Sequence, residues 1–180
     1  MKIIEALLRR LEAACQAIAA VLILSIMVIV FADVVLRYLF NHPIPWAYDL
    51  INLYLMAGLY FLALSYTYAA HAHIGVDILL QRLPVGGVRV AECIACGVAI
   101  PFFALMAGVG AGRAWENWVN GDVVSGPVAW PTWGGPAFMA FGAGLLVARL
   151  AFRFVGNVAS LATGCDIVEP LELGAHGGAE

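Results

Sequence analysis

Cys93 and Cys96 are the first side chains whose type and spacing could support chemistry. They form a C-x-x-C pair, a spacing found in thioredoxin-like redox sites and in half of many zinc sites. Both lie at the start of an apolar stretch, without a second cysteine pair or a basic residue that would activate a thiolate. The pattern therefore favours cysteines that pack between helices over reactive ones.

His71, His73 and Asp77 form a second candidate, an H-x-H-x3-D pattern whose imidazole and carboxylate groups suit several divalent metal ions. The set offers only three ligands, so a structural role is favoured over a metal site. The remaining histidines, His42 and His176, also lie in connections or in the tail. A haem b membrane subunit needs paired axial histidines within its spans, so the sequence disfavours that class.

Asp33 is an acid inside an apparent membrane span. An intramembrane acid is a functional candidate by default, so a proton or ion site is one interpretation. Arg37 follows four residues later on the same helix face, near the membrane boundary, and a local ion pair is the favoured interpretation. The span centres carry no carboxylate and almost no polar atoms. This pattern favours an accessory subunit over a small antiporter or a protein that conducts a hydrophilic solute.

The elements that hold these residues follow from the overall composition. Hydrophobic residues make up 63% of the 180 residues and charged residues 12%, against about 25% charged residues in a soluble domain. The mean hydropathy is +0.93. Lys and Arg number 9 against 12 Asp and Glu, a net charge of −3. These values exclude a soluble enzyme, a disordered chain and a nucleic-acid-binding protein.

Four uncharged stretches of at least 20 residues divide the chain, and about 20 residues suffice for a helix to cross the hydrocarbon core. The sequence therefore predicts an all-α membrane protein with four transmembrane helices, over about 13–36, 46–70, 90–113 and 132–154. Residues 1–163 are predicted to form one membrane domain. The segment 164–180, which is rich in acidic residues, is predicted to form a disordered cytoplasmic tail.

The basic residues predict the orientation of the four spans. Seven of the nine lie on the side of the termini and two on the other side, so both termini are predicted to be cytoplasmic. Residues 2–12 are predicted to form a short amphipathic helix, with Glu12 on its charged face, although an ordinary charged lead into the first span is equally compatible. Arg149 and Arg153 are expected to extend to the interface at the end of span four. Part of the connection between spans two and three is predicted to lie along the membrane surface.

Span three carries small residues at helical spacing, and these predict a helix-packing face. The residues are Ala95, Ala99, Gly108 and Gly112. Small residues let helix backbones approach closely in lipid, where van der Waals contact drives association. Either another helix of the chain or a partner protein could meet this face.

Three phrases, in order along residues 15–155, resemble the small membrane subunit of tripartite ATP-independent periplasmic (TRAP) transporters, the DctQ-like family. The first is R-Y-L-F-N-x-P-I-x-W-x-x-D over residues 37–49, which contains Arg37, Asn41, Pro43, Trp46 and Asp49. The second is H-I-G-V-D, from His73 to Asp77, and the third is Pro131 followed by Trp133.

This resemblance implies a non-enzymatic scaffold subunit in the bacterial inner membrane. The partners it implies are a large multi-span DctM-like subunit, which would hold the substrate and sodium sites, a periplasmic DctP-like binding protein, and membrane lipids. This chain would carry no cofactor of its own. The transported solutes would be organic acids, with C4-dicarboxylates as the commonest case.

The resemblance also implies roles for single residues. Arg37, Asn41, Trp46 and Asp49 would organise the outer interface, while His73 and Asp77 would fix the inner connection. Folding of these loops without partner contact is the alternative. At the level of function, the alternative is a self-standing four-helix membrane protein, either an anchor of an electron-transfer complex or a small channel.

Overall fold

The computed structural model describes residues 2–69 and 85–163, with side-chain detail over 6–68 and 90–158. Every regular element in these ranges is a helix, apart from an isolated antiparallel bridge between Val123 and Pro131. The elements are α1 (Lys2–Phe40), α2 (Ala47–Leu50), a π-helical segment (Ile51–Leu55), α3 (Met56–Ala69), α4 (Val85–Asn120) and α5 (Gly134–Thr163).

Within the described ranges, four helical stretches are long and apolar enough to cross a membrane, which confirms the predicted all-α fold with four spans. They are Ala6–Phe40, Ala47–Tyr68, Val90–Asn120 and Gly134–Val158. The predicted N-terminal helix is the first part of α1 and continues into the span without a break. With 39 and 36 residues, α1 and α4 measure about 58 and 54 Å, so they must tilt in a 30 Å core or project beyond it.

The helices form a row with α5 near its middle. The main packing contacts join α1 to α3, α3 to α5, and α5 to α4. The burial of the spans agrees with this order of helices. In the most apolar window of span four 33% of the residues are buried, against 6% in that of span one. We call the end with the α1–α2 and α4–α5 connections the connection end, and the end where α1 begins and α5 finishes the terminal end.

Glycines bring neighbouring helices of the row into close contact. A Cβ at Gly142 of α5 would lie 2.1 Å from the Phe61 carbonyl oxygen of α3, so only glycine fits there. Gly58 of α3 similarly faces Leu22 of α1. Because association in lipid depends on close van der Waals contact, these positions determine how near the helices lie.

Candidate functional site

The carboxylate of Asp33 holds the first connection in place. One of its oxygens accepts a hydrogen bond from the Arg37 guanidinium at 2.7 Å, and the other accepts one from the backbone N–H of Ile44 at 2.7 Å. The Asp33 side chain is 16% exposed and that of Arg37 59% exposed. The predicted ion pair is confirmed, and the same carboxylate also fastens the connection to the end of α1.

Asn41 ends α1 with a backbone φ of +50°, in the left-handed region that asparagine tolerates better than most residues. The N–H of His42 then donates to the Leu36 carbonyl at 3.2 Å. Pro43 lies in the non-helical stretch that follows, and Trp46 precedes α2 with 37% of its surface exposed. Asn41 therefore shapes the connection, while Trp46 offers part of its indole ring to the surroundings.

The second connection begins with a Schellman motif at the end of α4. Gly121 has a φ of +66°, its N–H donates to the Trp118 carbonyl at 3.3 Å, and the Asp122 N–H donates to the Asn117 carbonyl at 3.1 Å. The backbone N–H and the hydroxyl of Thr132 both donate to the Asp122 carbonyl, at 3.0 and 3.1 Å. These bonds close the connection into a compact loop.

Tyr54 joins the second span to this loop. Its hydroxyl donates to the carbonyl oxygen of Pro131, and its ring packs edge-on against Trp130 with the ring centroids 6.0 Å apart. A Cβ at Gly134 would lie 2.1 Å from the Tyr54 ring, so a larger residue where α5 begins would displace this ring. Tyr54 lies in the π-helical segment, whose wider turn is a common device at functional positions. Sequence reasoning missed this residue, because a π-helical segment has no clear sequence signal.

Asp49 and Trp133 also lie at the connection end. A Cβ at Gly126 would lie 3.1 Å from a carboxylate oxygen of Asp49, so this side chain borders the second connection. Trp133 packs edge-on against Trp118 with centroids 5.1 Å apart. The structure thus brings Asp49, Pro131 and Trp133 to one region where the two connections meet. His73 and Asp77, together with the predicted interfacial segment and tail, lie outside the described residues.

The four predicted helix-packing residues have different surroundings. Ala99 packs against a buried cluster of Cys96, Leu146 and Leu150. Ala95 is exposed and lines a cavity of about 260 Å³ beside that cluster. A Cβ at Gly108 or Gly112 would have no neighbouring atom within 4 Å in the described structure. A partner contact at these two glycines therefore stays a prediction.

Gly110 provides the glycine contact between α4 and α5 instead. A Cβ there would lie 3.0 Å from the backbone nitrogen of Ala140 and 3.1 Å from the carbonyl oxygen of Pro136. The predicted packing face does not include Gly110, because this residue lies between Gly108 and Gly112 in the sequence and on a different side of the helix. A glycine-rich stretch of this kind does not reveal which of its glycines meets a neighbour.

A buried polar cluster lies at the terminal end, and the sequence interpretation of its residues was wrong. Glu12 is 2% exposed, not on a charged surface. Its Oε1 accepts a hydrogen bond from the Ser65 hydroxyl at 2.8 Å and lies 3.7 Å from Nε of Arg149. Glu12 points inward because it shares a helical stripe with the buried residues Leu8, Cys15 and Ala19.

Arg149 and Arg153 do not extend to the interface as predicted. They are 4% and 9% exposed, and Nη1 of Arg153 donates to Oε1 of Glu92 on α4 at 2.9 Å. Both arginines face inward because they follow the buried Leu146 and Leu150 on the packed side of α5. The arginines repeat the four-residue spacing of these leucines, but apolar residues cover both sides of this span, so the spacing alone does not reveal the cluster.

Cys96 has the packing role that the sequence favours. Cys96 is 1% exposed within the apolar cluster, and the Tyr68 hydroxyl lies 3.5 Å from its sulfur. Cys15, Cys93 and Cys96 are free thiols. Among the described residues, no group of three His, Cys, Asp or Glu side chains could hold a metal ion.

Comparison with known proteins identifies the family. Residues 26–160 match the family of tripartite ATP-independent periplasmic transporters, DctQ component. A similar protein is the C4-dicarboxylate TRAP transporter small permease protein DctQ of Vibrio cholerae serotype O1 (strain ATCC 39315 / El Tor Inaba N16961), at 29% identity over 90 residues. That match covers 50% of this chain and 38% of the relative's length. No solved structure matches the chain.

The match includes the whole first phrase and the Pro131 and Trp133 pair, within a four-span fold. Proteins of this kind are components of transporters and not enzymes. The chain therefore belongs to the DctQ family and is a small membrane subunit of a TRAP transporter.

Proposed function

We propose that this subunit is a static scaffold that anchors a large DctM-like transport subunit in the bacterial inner membrane. The observation that carries the proposal is the distribution of polar groups. In the described spans, the buried charged side chains gather at the terminal end, and the exterior of α1 and α4 is lined by large apolar side chains. These include Val21, Leu24, Met27, Phe31, Val98, Phe102 and Leu105.

The vertical spacing of the polar groups supports anchoring. Ser65, in the polar cluster, follows Ala47 at the connection end by 18 residues, or about 27 Å of helix. This distance is close to the thickness of the hydrocarbon core, about 30 Å. The exposed charges also lie at the two ends, with Arg9 and Arg10 at the terminal end and Arg37 and Arg113 at the connection end. Vertical displacement would move one of these sets into lipid or apolar side chains into water, so hydrophobic mismatch resists movement of this subunit while a partner slides.

The partners and the orientation are parts of the same proposal. The large subunit would hold the substrate and Na⁺, and a periplasmic DctP-like protein would deliver the solute. Both termini would be cytoplasmic, because seven of the nine basic residues lie on their side. The solute would be an organic acid; the similar Vibrio protein is named for C4-dicarboxylates, which supports testing these first.

At the connection end, the exposed parts of Arg37 and Trp46 are the proposed contacts with the large subunit. Asn41 and Asp49 would support them from within the connections. Tyr38 and Tyr48 are also largely exposed, at 83% and 76%. Together they form an aromatic and basic surface, a composition typical of protein interfaces.

Uptake by a reconstituted three-part system tests the function. Proteoliposomes with the large subunit, with or without this chain, would receive the binding protein, a panel of organic acids and an inward Na⁺ gradient. We expect Na⁺-dependent accumulation of a dicarboxylate only when this chain is present. Equal uptake without it would refute the scaffold role, and uptake that is independent of Na⁺ would refute the coupling.

Substitutions at the proposed contacts refine this test. Arg37→Ala and Trp46→Ala should lower uptake together with assembly, because both remove surface that faces the partner. Asp122, which is exposed in the second connection, offers a matched control, and Asp122→Ala should retain uptake. Normal assembly and uptake in both the Arg37 and the Trp46 variant would remove this interface assignment.

A further inference from the structure

The two buried arginines of α5 take their carboxylates from opposite ends of the helix row. Arg149 lies 3.7 Å from Glu12 of α1, and Arg153 binds Glu92 of α4 at 2.9 Å. The arginines are one helical turn apart on the helix in the middle of the row. We propose that these two pairs form a selective charge lock that fixes the order and the register of the four helices at the terminal end.

The Glu12–Arg149 pair links helices that are otherwise joined through a third. The main contacts of α1 are with α3, and those of α3 are with α5. Ser65 of α3 donates to the same oxygen of Glu12 that faces Arg149. The lock therefore closes one end of an open row, and Ser65 joins α3 to it through the same carboxylate oxygen.

Burial makes each arginine dependent on its carboxylate. The side chains of Arg149 and Glu12 are 5% and 2% exposed, and those of Arg153 and Glu92 are 11% and 9% exposed. Nε and Nη1 of Arg149 have no hydrogen-bond partner among the residues that the structure describes, and the nearby Glu12 carboxylate balances the charge of the guanidinium. Loss of one partner from a buried pair leaves an uncompensated charge, which is far more damaging than replacement of both.

The two pairs should not be interchangeable. A shift of α5 by one turn, about 5.4 Å, would bring Arg153 to the level of Arg149 and remove the carboxylate of α4 from its partner. Both pairs are satisfied together in only one register of α5 against α1 and α4. Buried polar groups that select one register are the best-attested use of such costly interactions.

Charge exchange in the full-length chain, expressed in membranes and purified in mild detergent, tests the lock without any transport partner. Glu12→Arg and Arg149→Glu alone should each reduce the yield of monodisperse protein about tenfold or more. The cognate double variant, Glu12→Arg with Arg149→Glu, should recover at least half of the yield. The non-cognate double variant, Glu12→Arg with Arg153→Glu, should recover none.

Milder variants keep the test decisive when charge reversal prevents folding. Glu12→Gln should lower the thermal midpoint of the purified chain more than Glu116→Gln, its control at an exposed position of α4. Equal midpoints for these two variants, or equal recovery in the cognate and non-cognate doubles, would overturn the lock. Because only this chain is measured, the result does not depend on the proposed scaffold function.

Discussion

Adding one methyl group to Gly142 gives a sharp test of how the second and fourth spans pack. A Cβ at this position would lie 2.1 Å from the carbonyl oxygen of Phe61, 2.5 Å from its carbonyl carbon and 2.8 Å from its Cβ. The oxygen is about 1.3 Å closer than the 3.4 Å at which ordinary van der Waals contact begins. Two of the three atoms belong to the backbone, so no side-chain rotation relieves the overlap and the helices must separate.

We expect Gly142→Ala to cost about 1–3 kcal/mol of stability, the usual range for overpacking. Gly144 provides a matched control on the same helix, because a Cβ there meets no atom within 4 Å in the described structure. Gly144→Ala should be neutral, or stabilising by up to about 1 kcal/mol, because alanine has the higher helix propensity.

The assay is the thermal midpoint of the purified chain in mild detergent. We expect a clearly lower midpoint for the Gly142 variant than for the Gly144 variant. Equal midpoints, or a higher one for Gly142→Ala, would refute the close contact between α3 and α5.

Three further predictions concern single side chains. Tyr54→Phe should lower the stability of the fold by about 1 kcal/mol, because the hydrogen bond to the Pro131 carbonyl is lost while the ring is kept. The same change should speed proteolysis of the second connection, and unchanged proteolysis would contradict this prediction. Asp33→Ala should lower the thermal midpoint more than Arg37→Ala, because Asp33 accepts two hydrogen bonds. Arg37→Ala removes only the partly exposed ion pair, which contributes less than about 1 kcal/mol to stability. The reverse order of midpoints would refute this role of Asp33. In intact membranes Cys96 should resist a maleimide reagent that labels this thiol after denaturation, because the Cys96 side chain is buried, with 1% of the residue exposed. Rapid labelling of Cys96 in the folded chain would argue against its packing role.

The sequence predicted the features that depend on local composition. Uncharged stretches of sufficient length identified four spans, because lipid requires backbone groups to pair internally and each stretch can do so only as a helix. Pro43 and Pro45 lie in the break between the first two spans, because proline cannot donate to the helix and restricts the residue before it. The Asp33–Arg37 pair followed from helical spacing alone.

The sequence did not reveal which side of each helix faces the protein. Apolar residues cover both sides of a membrane helix, so the inward stripe of Glu12 has no hydrophobic contrast to mark it. For the same reason Arg149 and Arg153 resembled ordinary boundary arginines until their partners on other helices were known. Gly110 and Gly142 likewise differ from Gly108 and Gly144 only in what lies opposite, which is a property of the tertiary structure.

Co-expression with the large DctM-like subunit, followed by purification through a tag on this chain alone, tests whether this chain is the scaffold of a two-subunit membrane complex. Native mass spectrometry in mild detergent should then detect a complex of fixed stoichiometry that contains both subunits. Recovery of the chain alone, at normal yield and with the large subunit present in the same membranes, would contradict the scaffold role.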